Sequence, residues 1–229
     1  MRTIQEHISA VIPVLNGAAE LPPTLAALSG SALIGEIVVV DGGSRDGSAE
    51  LAREAGARVI EAPRGRGTQL AAGAAAATDE WLLFIHADCR LMPGWEGAVQ
   101  MFIAAPDAAQ RAGYFAFALD DPAPAARRLE RLVAWRCRKF ALPYGDQGLL
   151  IHRRLYDAVG GYADIPLMED VELARRLGRA RLQPIGATMI ASARRYRRDG
   201  YWRRPLRNLV CLLLYFAGVP PEKIAGLYG

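Results

Sequence analysis

The segment from Ile37 to Ser48 constrains the fold of this chain more than any other stretch. It reads Ile-Val-Val-Val-Asp-Gly-Gly-Ser-Arg-Asp-Gly-Ser, an unbroken run of branched apolar residues that ends in Asp41 and a glycine turn. Such a run is typical of a parallel strand covered on both faces. An acid followed by glycines at the carboxyl end of a strand is where open α/β sheets bind nucleotides. The segment therefore predicts an α/β fold with a nucleotide site at the strand end.

Two other apolar runs end in polar residues in the same way, one at 11–16 and one at 81–88. Because the carboxyl ends of parallel strands share one edge of a sheet, we expect Asn16, Asp41 and Asp88 to face the same crevice. Asp41 is suited to accept hydrogen bonds from a base or ribose, and Asp88 to ligate Mg²⁺ or Mn²⁺. Any one of them alone is also an ordinary turn former. The prediction depends on all three being in register.

Strand and helix patterns alternate over the first ninety residues, which predicts a mostly parallel sheet with helices on both faces. No repeat or linker divides the chain, so we expect one domain over residues 1–229, with a core to about 193 and an extension over 194–229. The expected strands are 8–15, 36–40, 58–61, 81–85, 114–119, 149–152 and 188–191. The expected helices are 21–28, 46–55, 69–77, 94–104, 127–140, 169–177 and 209–216.

Composition excludes several classes of protein. A hydrophobic share of 52% in 229 residues is enough for a large core and excludes disorder. Three scattered cysteines form neither a disulfide framework nor a zinc-binding pair, which favours a reducing, cytoplasmic setting. Residues 1–7 lack an apolar signal core, and no run approaches the ~20 apolar residues of a membrane span.

The basic residues are almost all arginine, since Lys139 and Lys223 are the only lysines in a chain of net charge +4. Arginine suits bidentate contact with phosphate or carboxylate, although a coding bias would produce the same excess. Seven arginines lie between residues 194 and 207, and the helix 209–216 that follows is apolar on every side. Such a helix is either buried or in contact with lipid, so an anionic membrane surface is one expected partner. Nothing in the chain predicts binding to nucleic acid.

Three further groups of polar residues are candidates for the site. Arg66 lies in a Gly-Arg-Gly turn at 65–67 and is placed to reach a phosphate. Asp146 and Gln147, in a turn at 144–148, offer hydrogen bonds to a sugar. Glu169 and Asp170 open a helix, where acids are also favoured by the helix dipole. Asp170 would serve as a general base toward an acceptor hydroxyl.

These motifs, in this order, resemble the family 2 glycosyltransferases of the GT-A fold. The resemblance covers residues 8 to about 175 and rests on the segments 11–16, 38–47, 84–88, 145–148 and 169–170. More narrowly, the forms Phe-Ile-His-Ala-Asp and Gly-Asp-Gln-Gly, with the tail 215–222, are similar to a bacterial branch labelled radical-SAM/selenodomain-associated transferases.

The resemblance implies inverting transfer of a sugar from a nucleoside diphosphate donor, with a UDP-sugar favoured. It implies that Pro13, Asn16 and Asp41 hold the nucleoside. Asp88 matches the last acid of the family's Asp-x-Asp metal motif, and Asp170 matches its catalytic base. The resemblance also suggests that Arg194 and Arg195 neutralise the diphosphate.

His86 departs from the family pattern, because it stands where the first acid of the metal motif is usual. A neutral imidazole there can still hydrogen bond, or can favour Mn²⁺ over Mg²⁺. The acceptor is not identified by the sequence.

Two other functions remain open at this level. A sugar-phosphate nucleotidyltransferase is disfavoured because the loop 13–17 has a single glycine and no arginine. A non-catalytic module that binds a membrane surface or a partner would depend on the arginine-rich extension. Membrane contact and catalysis are compatible, which would make the protein a peripheral one on the inner face of the membrane.

Overall fold

The apolar runs of the first ninety residues form the parallel half of one eight-stranded sheet. The structure is a computed structural model that describes residues 6–228; most of the N-terminal segment judged to lack a signal core lies outside this range. The strands are β1 (Ile8–Val14), β2 (Ile34–Asp41), β3 (Arg58–Glu61), β4 (Trp81–Phe84), β5 (Cys89–Leu91), β6 (Ala112–Leu119), β7 (Leu149–His152) and β8 (Leu182–Ala191).

Helices cover the sheet and continue beyond its last strand. Within residues 6–228 they are α1 (Leu21–Ser29), α2 (Ser48–Glu54), α3 (Arg66–Ala76), α4 (Trp95–Ile103), α5 (Pro124–Phe140), α6 (Arg153–Ala158), α7 (Glu169–Leu177), α8 (Arg194–Asp199), α9 (Arg203–Phe216) and α10 (Pro221–Tyr228). Short 3₁₀ turns at Ala108–Gln110 and Gly145–Gln147 complete the connections.

The strand order is β3-β2-β1-β4-β7-β6-β8-β5. The first four strands pair in parallel, as predicted. β7 is antiparallel to both of its neighbours, and β5 is antiparallel to β8, so the second half of the sheet is mixed. The α/β class is therefore confirmed, with four parallel pairings among seven.

Register places the polar strand ends at one edge of the parallel half. β1 is buried along its whole length, and its last residue, Val14, pairs with Asp41 at the end of β2. On its other side Val11 pairs with Phe84 near the end of β4. The loops that leave β1, β2 and β4 therefore begin side by side, which is what positions the site.

Most predicted elements agree with the structure within a few residues, and β3, β7 and α7 agree to the residue. The predicted Gly-Arg-Gly turn was wrong, because α3 already begins at Arg66. Gly67, the second residue of that helix, lies against another loop: an added Cβ would clash with the carbonyl oxygens of Ala163 and Ile165. This glycine is needed for close approach of two backbones and not for a turn.

The C-terminal apolar segment is only partly buried. Residues 209–216 are predicted to be either buried or in contact with lipid; in the structure one face of α9 packs inward through Cys211, which is fully buried, while another face is exposed. α10 packs beside it and buries Ile224. Among residues 6–228, every helix is too short or too polar to traverse a bilayer.

Candidate active site

A cleft of about 780 Å³ opens at the carboxyl ends of β1 and β4, between the start of α3 and the segment that follows β8. Seven of the twelve predicted site residues line it, namely Pro13, Asn16, Arg66, His86, Asp88, Arg194 and Arg195. Five others do not line it, namely Asp41, Asp146, Gln147, Glu169 and Asp170. The cleft therefore unites the strand ends with the arginine cluster, over a sequence distance of about 180 residues.

The loops after β1 and β2 are joined by hydrogen bonds. Asp41 is buried, and its carboxylate accepts from the backbone N–H of Ser44 at 3.1 Å and from the Ser44 hydroxyl at 2.5 Å. The Ser44 Oγ in turn accepts from the backbone N–H of Asn16 at 2.9 Å. The Asn16 side chain accepts from the N–H of Arg45 at 2.9 Å, and Asn16 holds a positive φ of 50°. Asp41 therefore does not line the cleft, but it supports, through Ser44, the loop of Asn16 that does.

Gln69 of α3 supports the same wall and was missed by the sequence reasoning. It is buried, and its amide nitrogen donates to the carbonyl oxygens of Val14 and Val40, both at 2.9 Å. These contacts hold the ends of β1 and β2 at a fixed spacing. The available signal was an amide on the inward face of an otherwise alanine-rich helix.

Three metal-ligating side chains lie together at the end of β4. His86, Asp88 and Cys89 each offer one donor atom, and these atoms lie within 4.8 Å of one another. The Cys89 thiol is buried and lies 3.6 Å from an Asp88 carboxylate oxygen. The carboxylate of Asp88 and the imidazole of His86 are donors for a divalent cation, so these two residues fit the metal that the motif implies, whereas burial raises the pKa of the Cys89 thiol well above its ordinary value and keeps it protonated. Cys89 was not predicted as part of this set.

His86 stands between the large cleft and a second, narrow cavity of about 20 Å³. Its Nε2 atom is buried and has no hydrogen-bond partner. Burial lowers the pKa of His86 to about 4, and the nearby Arg66 guanidinium acts in the same direction. The imidazole is therefore neutral at physiological pH, with one nitrogen free to accept or donate a hydrogen bond.

The backbone at Gly145 lies directly against this ring, and a Cβ added there would clash with His86 Nε2. We expect Gly145→Ala to lower the free energy of unfolding by about 1–3 kcal/mol, because the ring or the turn has to move. Denaturant unfolding measures this change. Gly97→Ala is the matched control, since nothing lies within 4 Å of a Cβ there and the site is inside α4. The free energy of unfolding of Gly97→Ala should rise by about 0.5–1 kcal/mol, because alanine favours the helix more than glycine does. Equal stability of Gly145→Ala and wild type would contradict the close packing.

Asp170 lines the narrow cavity together with His86 and Tyr144. One oxygen of its carboxylate accepts from the N–H of Gly145 at 2.7 Å, and the other from the N–H of Val171 at 2.7 Å. The start of α7 is thereby joined to the 3₁₀ turn at Gly145–Gln147. Asp170 lines the narrow cavity and Asp88 lines the large cleft, while His86 lines both, an arrangement that the sequence did not predict.

Asp146 and Gln147 differ in their surroundings. Burial raises the pKa of Asp146 to about 6, and its Oδ1 is buried without a partner. Gln147 is 2% exposed; its amide donates to the Phe115 carbonyl at 3.1 Å, and its oxygen accepts from Arg136 at 3.0 Å. Arg136 also lies 3.4 Å from the Tyr144 ring centroid. The structure thus places Gln147 in the scaffold of the turn, although it was predicted to contact a sugar.

Glu169 is fully buried, with one oxygen 3.5 Å from Arg66 and the other without a hydrogen-bond partner. Burial raises the pKa of Glu169 to about 7; Arg66 opposes this shift, and the Asp170 charge adds to it. The contact connects the first residue of α3 to the first residue of α7. Glu169 therefore orients Arg66, which lines the cleft, without lining the cleft itself.

This burial has a consequence for stability. A carboxyl whose pKa is raised on folding binds its proton more tightly in the native state, so the contribution of Glu169 to stability is greatest below pH 4.5 and falls as the pH rises toward about 7. In Glu169→Gln we expect this decrease in the free energy of unfolding to be absent. Between pH 5 and pH 8 the decrease in wild type should therefore exceed that in the variant by on the order of a few kcal/mol. Urea unfolding at the two pH values measures it, with the exposed Glu54→Gln as control. A stability difference from wild type that is the same at both pH values would contradict the assignment.

Arginines of the extension form one wall of the cleft. Arg198 and Arg204 line it beside the predicted Arg194 and Arg195, and Arg64 joins them before α3. Arg204 is 4% exposed and forms an ion pair with Asp199 at 3.1 Å. The sequence marked Arg198 and Arg204 as part of a basic cluster but gave no reason to assign them to the site. Arg64 was missed altogether.

The family model described as glycosyl transferase family 2 matches residues 9–160. No curated protein sequence matches the chain significantly. Among solved structures, glucosyl-3-phosphoglycerate synthase of Mycobacterium tuberculosis, in complex with Mn²⁺, UDP and glucosyl-3-phosphoglycerate, is 20% identical with a TM-score of 0.58. That match covers 94% of this chain and 81% of the other.

Two further solved structures are similar. The mannosyltransferase PcManGT of Pyrobaculum calidifontis, in complex with GDP-Man and Mn²⁺, is 18% identical with a TM-score of 0.66, covering 94% of this chain and 64% of the other. TarS of S. aureus is 15% identical with a TM-score of 0.63; the match covers 90% of this chain but spans only 39% of TarS. At such identities the likeness establishes the fold, and it confirms the predicted GT-A architecture.

Proposed function

Because the chain belongs to glycosyl transferase family 2 and is a glycosyltransferase, we propose that it transfers a sugar from a nucleoside diphosphate donor with inversion. A UDP-sugar is the proposed donor and a hydroxyl group the acceptor. The observation that carries the proposal is the large cleft, which brings Asn16 and Asp88 at the strand ends together with arginines from the extension. We propose that residues 1–229 act as one GT-A domain, with residues 194–229 as its C-terminal extension.

The donor diphosphate would lie among the arginines of the cleft. Arg66 enters from the start of α3, and Arg194 and Arg195 enter from the segment after β8. Guanidinium groups bind phosphate oxygens in a bidentate manner and stay charged at all physiological pH values. They would stabilise the negative charge that grows on the diphosphate as it departs.

The nucleoside would occupy the wall formed by the loops after β1 and β2. Pro13 and Asn16 line the cleft directly. Asp41 is buried, is held by Ser44 and does not line the cleft, so we propose that it acts through the Ser44–Asn16 hydrogen bonds. A contact of Asp41 with the base would require that turn to open.

A divalent cation would be held by Asp88 with His86, beside the buried thiol of Cys89. When bound, it supplies positive charge to the diphosphate. The imidazole nitrogen of His86 is a softer donor than the oxygens that Mg²⁺ prefers, so we favour Mn²⁺ over Mg²⁺. Mn²⁺ accompanies the nucleotide in both the mycobacterial synthase and PcManGT.

Asp170 is the proposed base. It would take the proton of the acceptor hydroxyl while that oxygen attacks the anomeric carbon, and the bond from that carbon to the diphosphate oxygen breaks in the same displacement. The hydrogen bond from Gly145 holds the carboxylate toward the cavity that it shares with His86. Asp146 and Glu169 adjoin, along the chain, Gly145 and Asp170, which line this cavity, and we propose that Asp146 faces the acceptor or the sugar.

We further propose a cytoplasmic protein that makes peripheral contact with a membrane through its extension. Support comes from the exposed apolar face of α9 and from the arginines beside it. A nucleotidyltransferase and a non-catalytic module gain no comparable support, because the loop after β1 carries no phosphate cradle and the cleft brings together seven residues predicted to bind the donor or the metal.

Calorimetric titration of UDP and GDP, each with Mn²⁺, with Mg²⁺ and without metal, tests this function. We expect UDP to bind in the presence of Mn²⁺ at least tenfold more tightly than without metal. Tighter binding of GDP would overturn the choice of donor and keep the reaction class. The absence of binding by either nucleotide under all three conditions would overturn the proposal.

A further inference from the structure

α9 presents two chemically different faces. Its inward face buries Cys211 and Arg204, and Arg204 reaches the wall of the cleft. Its outward face carries an apolar stripe, defined here by residues at the helical spacing of three and four: Trp202, Leu206, Leu209, Val210, Leu213 and Phe216. A surface helix normally turns such a stripe toward the core.

The stripe lies in solvent along the whole helix. Its five members within α9 are 45–61% exposed, and Trp202 just before the helix is 79% exposed. Single exposed apolar side chains are common, whereas a contiguous row marks a surface that binds something. α9 contains 14 residues and is about 21 Å long. That length is less than the ~30 Å of a bilayer core, so the helix suits a position in the plane of an interface.

Charge around the stripe favours one kind of occupant. Residues 194–229 carry eight basic side chains against Asp199 and Glu222, a net charge of +6, while the rest of the chain carries −2. α9 itself contains no acidic residue. Arg203 is exposed at its start, and the exposed Arg175 lies 5.2 Å from the Phe216 ring at its end. A second copy of this chain would bring like charges together, whereas an anionic lipid surface would complement them.

We propose that the α9 stripe docks in the plane of an anionic membrane surface, with its apolar side chains among the acyl chains and the flanking arginines at the lipid headgroups. Aromatic, leucine and arginine residues on one helix are the composition of interfacial helices. Each basic residue near such a surface raises partitioning by about fivefold. In a cell, the cytosolic leaflet of a membrane carries the anionic lipids that this surface requires.

Docking would also place the active site relative to the lipid. The same helix contributes Arg204 to the cleft, and α10 contributes Ala225. The cleft therefore lies directly behind the docked face. Given the proposed function, on which this step rests, the acceptor class that fits is a membrane-resident amphiphile bearing a hydroxyl group.

Vesicle co-sedimentation of the full chain tests the docking without any assay of catalysis. We expect binding to vesicles of phosphatidylcholine with one quarter phosphatidylglycerol, at least tenfold stronger than to pure phosphatidylcholine and weakened by 0.5 M salt. Leu209→Glu with Leu213→Glu should reduce binding at least tenfold. The matched control is Met92→Glu with Met101→Glu, which alters exposed apolar residues on and before α4 and should bind like wild type.

A second pair of substitutions tests the basic residues that flank the α9 stripe. Arg203→Gln with Lys223→Gln should weaken binding to the anionic vesicles by about tenfold or more and leave binding to neutral ones unchanged. Neither residue lines the cleft. Nucleotide titration of every variant verifies that the fold and the donor site are intact.

Three results would overturn the inference. One is wild-type protein that stays in the supernatant with anionic vesicles at low salt. Another is equal binding to neutral and anionic vesicles. The third is a dimer, seen by sedimentation velocity, that the Leu209 and Leu213 substitutions dissociate. Failure of the proposed function would appear separately, as lost nucleotide binding while vesicle binding persists.

Discussion

Replacement of Asp170 by Asn should lower the rate of sugar transfer by about 10²–10⁴-fold and leave Mn²⁺-dependent nucleotide binding close to wild type. The amide has the same shape as the carboxylate, and its oxygen can still accept the hydrogen bond from the N–H of Gly145. It cannot take a proton from the acceptor. The loss should therefore fall on kcat, because Asp170 does not line the donor cleft.

The measurement is release of nucleoside diphosphate in the presence of donor and acceptor, together with the nucleotide titration. Until an acceptor is known, slow transfer to water serves as the readout. Asp157→Asn is the matched control, since Asp157 is exposed on α6. Unchanged transfer by a folded Asp170→Asn protein would exclude Asp170 as the base and direct attention to Asp146, whose pKa is raised by burial to about 6.

Asp88→Ala should abolish the dependence of nucleotide binding on Mn²⁺. Asp88 supplies the one carboxylate of the three side chains that lie together at the end of β4, so without it the cation would keep only the neutral imidazole of His86. Removing supporting groups around a metal commonly costs 10–100-fold in affinity, and the loss of a direct carboxylate ligand should cost at least about 100-fold. Arginine contacts in the cleft should preserve a weak, metal-independent affinity for the nucleotide.

Direct Mn²⁺ binding, followed by the electron paramagnetic resonance signal of the free ion, measures this without any catalytic assay. Asp157→Ala is the control for the loss of an exposed carboxylate. Cys89→Ser adds a finer comparison: it should weaken Mn²⁺ less than Asp88→Ala does, because a hydroxyl replaces a buried thiol. Retention of wild-type Mn²⁺ affinity by Asp88→Ala would place the cation elsewhere.

The parallel half of the sheet was predictable because local pattern and tertiary position agree there. The segment 37–40 of β2 is an apolar run buried on both faces, and such a run has few other stable positions. β5 was missed because its three residues, Cys89–Leu91, are a strand only through pairing with β8, almost a hundred residues away. The reversal of β7 was also invisible, since an apolar strand looks the same in either direction.

The sequence indicated which residues belong to the candidate site better than it indicated where they lie relative to one another. The strand-end residues Asn16 and Asp88 lie in one cleft because parallel register places them there. The sequence could not assign Asp170 to a different cavity, because that depends on how α7 meets the turn at Gly145. Nor could it assign Gln147 to the interior, because an amide in a glycine turn is equally suited to bind protein or sugar.

His86 lies between the two cavities with the Gly145 backbone pressed against its ring. Under the proposed function, donor choice and acceptor choice are consequently linked traits. Redesign of position 86 toward the acid that is usual in the family would shorten the side chain, remove a neutral donor from the cation and leave an opening beside Asp170. Any attempt to change which nucleotide sugar is used must therefore repack the turn at Gly145 in the same step.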